Sequence, residues 1–149
     1  MGPPTQTLAA ALRELAGRDI TIEKQSGFYR SPAWPDPIDP AFVNAVVAAR
    51  TGLTPAALLA VLHEVEARFG RKRGELNAPR TLDLDLIDYD GRIEAGPPQL
   101  PHPRMGTRAF VLVPLRDVAP DWRHPISGRT VSEMIARLPP GGIESLSRD

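Results

Sequence analysis

A chain of 149 residues is long enough for one domain with a real core, and its 42% hydrophobic and 24% charged residues exclude the disordered and fibrous classes. Its 18 Lys and Arg balance 18 Asp and Glu, so no global field draws it to nucleic acid or an anionic membrane, and any anion site must be local. The lack of cysteine excludes a disulfide framework and a thiolate zinc site; with no apolar run of membrane-spanning length and no signal-peptide pattern, a cytoplasmic location is expected.

In chain order, "TQTLAAALRELAG" places Leu8, Ala11, Leu12 and Leu15 at helical spacing, with Gly17 as the expected stop. "DITIEKQS" reads as a short strand, and the proline-rich "SPAWPDPIDP" after it as a loop. "AFVNAVVAAR" reads as a second strand, with Phe42, Asn44 and Val46 on one face and Val43, Ala45 and Val47 on the other. "TPAALLAVLHEVEARFG" begins with Thr54 as N-cap and Pro55 at the first helical position, and is expected to bury Leu58, Leu62, Val65 and Phe69. A third strand is expected at about 81–89, a fourth in "RAFVLVPL", and a last helix in "TVSEMIARL", where Thr130 and Glu133 form a capping box.

This order of helix, two strands, helix, two strands and helix implies a single α+β domain over residues 1–149, with helices packed on an antiparallel or mixed sheet. A split β-α-β arrangement would place a strand before the first helix, and here the chain begins with that helix. The 17 prolines cluster around 32–40, 97–103 and 139–140, which predicts long loops of the kind that carry function.

The chemistry centres on "NAPRTLDLDLIDYD". In an extended chain Leu82, Leu84 and Leu86 share one face, and Asp83 and Asp85 share the other with Ile87. Carboxylates at i and i+2 lie roughly 6–7 Å apart at their Cα atoms and repel unless solvent or a cation intervenes. Just upstream, "GRKRGELNAPR" supplies Arg71, Lys72, Arg73 and Arg80. Guanidinium groups grip phosphate bidentately, and Mg²⁺ takes one or two carboxylates plus substrate phosphates, so acids and bases a few residues apart make two halves of a nucleotide-phosphate site. Taken alone, the alternation also fits a half-solvated strand, and the basic run a solvated loop.

His63 and Glu66, three apart on the long helix and read as pointing away from Leu58, Leu62 and Phe69, could jointly face a ligand or simply solvent. His102 is stiffened by prolines on both sides and followed by Arg104 and Arg108, whereas His124 lacks such company and is read as surface. Trp34, Phe42, Asn44 and Phe110 could stack on and read the edge of a flat heterocycle, although Phe42 and Phe110 equally suit a core.

These stretches, "APRTLDLDLIDYDG" with "FYRSPAW", "FVNAVV", "LPHPRM" and "RAFVLVPL" in order, resemble the 6-hydroxymethyl-7,8-dihydropterin pyrophosphokinases of folate biosynthesis, from about residue 2 to residue 140. The resemblance implies transfer of pyrophosphate from ATP to the pterin hydroxymethyl group on a ferredoxin-like α/β sandwich. It implies that Asp83 and Asp85 hold two Mg²⁺ ions against the ATP phosphates, and that Arg71 and Arg80 grip those phosphates with Arg73 nearby. His63, Glu66, His102 and Arg108 fall on nucleotide-contacting positions and Leu86 on an adenine-side contact. Phe42, Asn44 and Phe110 fall on pterin-contacting positions, with Ser31, Pro32 and Trp34 lining that pocket.

Some members carry tyrosine at 42 and tryptophan at 77, where this chain has Phe42 and Asn77. Family members also begin with an extra interior strand ending in a glycine-serine-asparagine turn, which Met1 and Gly2 replace here. The expectation is an ATP- and magnesium-dependent enzyme acting as a monomer on small molecules, without nucleic acid or membrane partners. The alternative is an impaired homologue that binds nucleotide, pterin or a partner chain filling the missing strand.

Overall fold

The computed structural model describes residues 4–31, 42–69, 82–139 and 147–148. Helix α1 (Pro4–Ala16) buries Ala11 and Leu15 and ends where Gly17 donates its N–H to the Glu14 carbonyl at 3.2 Å. Asp19, at φ 68°, turns the chain into β1 (Ile20–Gln25). This strand pairs antiparallel with β4 (Val47–Thr51), from Ile20 opposite Thr51 to Gln25 opposite Val47, with an irregularity between Ile22 and Lys24.

The run 41–50, expected as one strand, divides into β3 (Phe42–Asn44) and β4. The cause is a joint at buried Ser26. Its backbone N–H donates to the Val46 carbonyl at 2.9 Å, and its hydroxyl oxygen accepts from the Val46 N–H at 2.9 Å. Both arms of the hairpin break at that level, and the outer parts form a second sheet. There β2 (Tyr29–Ser31) lies between β3 and β5 (Ser147–Arg148), with Tyr29 opposite Asn44 and Ser31 opposite Phe42. Every strand pairing among the described residues is antiparallel.

Helix α2 (Pro55–Arg68) starts as its sequence dictates: the Thr54 hydroxyl oxygen accepts from the Ala57 N–H, and Pro55 occupies the first turn, where a missing N–H costs nothing. Leu58, Leu62 and Val65 are buried with Ala11, Leu15, Ile20 and Leu82, while Phe69 packs half-buried at the edge of that cluster.

The strand expected at 81–89 is corrected. Residues 82–88 have no ladder partner among the described residues. A side chain and a loop satisfy this backbone instead: the Leu84 N–H donates to Glu66 Oε2 at 2.6 Å, and the Ile87 carbonyl accepts from the His102 N–H at 2.8 Å. The alternation itself holds, with Leu82 buried, Leu84 and Leu86 packed on the α1/α2 cluster, and Asp83 and Asp85 exposed. Asp90 and Gly91, at φ 53° and 70°, then turn the chain back.

The strand expected in "RAFVLVPL" is a second correction, because Ala109 to Leu115 lie in helix α3 (Ala109–Val118), with Arg108 at its N-cap. All of Val111 to Leu115 are buried, so the run shows no alternation, and its β-branched content reflects a helix enclosed on most sides. Helix α4 (Val131–Ala136) carries the expected reciprocal cap, the Glu133 N–H donating to Thr130 Oγ1 at 3.1 Å and the Thr130 N–H to Glu133 Oε1 at 3.0 Å. Helices α3 and α4 with Met105 form a second apolar cluster, on which Tyr29, Ile87 and Phe110 pack.

The architecture is α+β, and the extended acidic segment runs between two apolar clusters, giving its leucines to one and Ile87 to the other. No helix among the described residues is long and apolar enough to cross a membrane.

Candidate active site

The segment holding Asp83 and Asp85 is fixed from behind. Glu66 is 4% exposed, and its Oε2 holds the Leu84 N–H, the peptide group between the two acids. Glu66 thus shares the buried side of α2 with Leu62, one turn earlier, which corrects the expectation that it points away from Leu62. Exposed His63 and buried Glu66 nonetheless border the same space, a cleft of about 410 Å³ that also takes Leu59, Asp83, Asp85, Leu86 and His102 into its walls. An adjoining depression of about 310 Å³ is lined by Asp83, Asp85, His102, Pro103, Arg104 and Arg108. Both acids and His102 border both spaces.

His102 is held through its backbone and through one ring nitrogen. Its backbone N–H donates to Ile87, and its Nδ1 accepts from the Arg104 N–H at 3.2 Å, so the neutral ring carries its proton on Nε2. Burial lowers its pKa from the ordinary histidine value; the Asp85 carboxylate pulls it upward, and Arg108 and Arg104 push it down. Arg108 stands at the N-cap of α3, with its guanidinium 5.3 Å above the centre of the Phe110 ring. Carboxylates, a neutral N–H donor and guanidinium groups around one opening suit a polyphosphate that carries a metal ion.

No group of three or more carboxylate and histidine side chains able to hold a metal occurs among the described residues. An acid pair of this kind fits an ion that draws its remaining ligands from phosphate oxygens and water, as Mg²⁺ does.

Of the expected pterin-side residues, Phe110 stands in the first turn of α3, two positions after Arg108, and Asn44 lies on β3. Asn44 is half-buried on β3, and Phe110 packs half-buried on the α3/α4 cluster. Ser31 and Phe42 end β2 and β3 as ladder partners. Pro32, Trp34, Arg71, Arg73 and Arg80 lie outside the described residues, as do Lys72 and Asn77.

His124, read as surface, is instead half-buried, with Trp122 edge-on at 5.8 Å and its Nδ1 accepting from the Ile126 and Ser127 N–H groups. Leu59, Pro98, Gln99, Pro103 and Arg104 border the two spaces without having been singled out as site residues. Leu59 was legible as the position one turn before His63, and Arg104 as the cation two residues after His102.

A sequence profile of the 7,8-dihydro-6-hydroxymethylpterin-pyrophosphokinase family matches residues 1–120. The 2-amino-4-hydroxy-6-hydroxymethyldihydropteridine pyrophosphokinase of Synechocystis is 44% identical over 140 residues, covering 93% of this chain and 71% of its own. The enzyme of that name from Methylorubrum extorquens is 42% identical over 146 residues, covering 97% and 91%. The Pseudomonas aeruginosa one is 45% identical over 116 residues, covering 74% and 71%. An acid pair facing a cleft beside His102 and Arg108, together with these matches, leads to one assignment: the chain belongs to the 7,8-dihydro-6-hydroxymethylpterin-pyrophosphokinase family.

Proposed function

We propose that this chain transfers pyrophosphate from ATP to 6-hydroxymethyl-7,8-dihydropterin, giving AMP and the pterin diphosphate of folate biosynthesis. The observation that carries the reading is the placement of Asp83 and Asp85 on one exposed face, bordering the same depression as His102 and Arg108. In the reaction the pterin hydroxymethyl oxygen forms a bond to the β-phosphorus of ATP and gives up its proton to solvent, the bond from that phosphorus to the oxygen bridging to the α-phosphate breaks, and AMP leaves. Magnesium held by Asp83 and Asp85, two ions by family resemblance, supplies charge neutralisation on the phosphates.

The chain's own groups have distinct tasks in this reading. His102, neutral with its proton on Nε2, donates a hydrogen bond to phosphate oxygen, and Arg108 adds positive charge beside it. Arg71, Arg80 and Arg73 complete the grip on the phosphates, while His63, Glu66 and Leu86 shape the nucleotide side. Phe110 and Phe42 contact the pterin ring, Asn44 reads its edge, and Ser31, Pro32 and Trp34 line its pocket. The reading also takes the chain as one ferredoxin-like domain, monomeric and cytoplasmic.

The test is AMP formation from ATP, hydroxymethyl-dihydropterin and Mg²⁺, with Asp85→Ala as comparison. Loss of one carboxylate ligand is expected to lower turnover by about a hundredfold or more. Wild-type protein that binds nucleotide or pterin yet releases no AMP overturns the assignment in favour of a binding-only homologue.

A further inference from the structure

Asp117 lies in the last turn of α3, where a carboxylate faces the negative end of the helix dipole and is disfavoured for helix stability. Two bonds that reach about 90 residues back along the chain give it a different purpose. Its Oδ2 accepts from the Tyr29 hydroxyl at 2.8 Å and from the Gly27 N–H at 3.2 Å. Tyr29 is the ladder partner of Asn44, so the two side chains share one face of the β2/β3 hairpin. The Tyr29 ring packs on the α3/α4 cluster together with Phe110, near the opposite end of the helix. One carboxylate thus clasps the hairpin carrying Asn44 to the helix carrying Phe110.

We propose that Asp117 is a positioning residue that sets the separation between the Asn44 and Phe110 walls of the pterin pocket; this rests on the functional reading above. Hydrogen bonds at an exposed carboxylate are partly shared with water, so they contribute little to global stability. Their local effect differs. Ser26 fixes the hairpin at its inner end through Val46, and Asp117 ties the next residues, so releasing the carboxylate lets the outer hairpin pivot on the Ser26 joint. Pterin contacts depend on that placement, whereas the nucleotide cleft is built from α2 and the 82–108 region and does not.

The experiment is steady-state kinetics on the wild type, Asp117→Ala, Tyr29→Phe and Asp117→Asn, varying each substrate, with thermal midpoints alongside. Asp117→Ala is expected to raise the pterin KM by about fivefold or more, Tyr29→Phe by less, while the ATP KM and the melting midpoint stay near wild type. Asp117→Asn keeps an acceptor oxygen and restores most of the pterin KM. Unchanged pterin KM in Asp117→Ala and Tyr29→Phe overturns the proposal, as does a parallel rise in both KM values with a fall in melting temperature. Should Asp117→Ala fail to fold, Tyr29→Phe and Asp117→Asn decide by the same criteria. Wild-type protein without AMP formation overturns the reaction assignment and the positioning role together, whereas wild-type turnover with an unshifted pterin KM in the variants overturns only the latter.

Discussion

Glu66 shows how one buried side chain holds the segment that carries the acid pair. A carboxylate removed from water must be compensated, and here the Leu84 N–H at 2.6 Å supplies part of that compensation. The bond falls on the peptide group between Asp83 and Asp85, in a stretch without ladder partners among the described residues, so it controls where the acid pair stands. Glu66→Ala leaves the Leu84 N–H without that acceptor and opens space beneath the segment. The expected cost is about 1–3 kcal/mol of stability by urea denaturation, with a loss of AMP formation larger than the stability loss alone explains. Glu66→Gln keeps an acceptor oxygen and is expected to lie between the two. An Ala variant as stable and as active as the wild type would show that this carboxylate holds nothing.

At the scale of the element, α3 makes the sharpest test because strand and helix readings of its sequence disagree about Leu112. In a strand, Leu112 would face opposite to Val111 and Val113; in the helix all three are buried, Leu112 with 0% exposure. Leu112→Ala is therefore expected to cost about 2–5 kcal/mol in thermal or denaturant unfolding, and a cost under about 1 kcal/mol would contradict its place in the core. Elements with chemical signals at their ends were legible in the sequence. Helices α1, α2 and α4 carried end signals in Gly17, Thr54-Pro55 and the Thr130/Glu133 box, each with a direct geometric counterpart. Helix α3 carried none: Arg108 makes no side-chain cap, Pro114 sits inside, and burial on most sides erased the period. In the 82–88 segment the face of each residue was legible from alternation, but the partner of its backbone was not, because a side chain 18 residues away took the place of a strand. Much the same holds for the site: Asp83, Asp85, His63, His102 and Arg108 could be singled out by residue type and Leu59 by its helical spacing from His63, whereas Pro98 and Gln99 line the cleft without a chemical signature.

Across the whole molecule, the titrating groups with shifted affinities set how the fold responds to acid. His102 and His124 both have their pKa lowered from the ordinary histidine value of 6.5, in each case chiefly by burial. Asp85 opposes the shift at His102, and Arg108 and Arg104 reinforce it; at His124 the opposing group is Asp88 and the reinforcing one Arg129. With folded values below unfolded ones, the unfolded chain binds more protons in the interval between them, so stability rises with pH across it. The contribution is complete above the ordinary histidine value and is lost as pH falls through it toward the lowered ones. Glu133 adds a second stage: hydrogen bonds from Thr130 lower its pKa from 4.5, and that contribution disappears as pH falls through the lowered value. The melting midpoint is thus expected to hold level in mildly alkaline buffer, decline from about pH 6.5 downward, and fall further below about pH 4.5. His124→Asn provides the control, since its Oδ1 can take the Ile126 and Ser127 N–H donors without titrating in this range, and it should flatten part of the first decline. A midpoint that stays constant or climbs between about pH 7.5 and about pH 5.5 would mean that burial does not hold these imidazoles neutral.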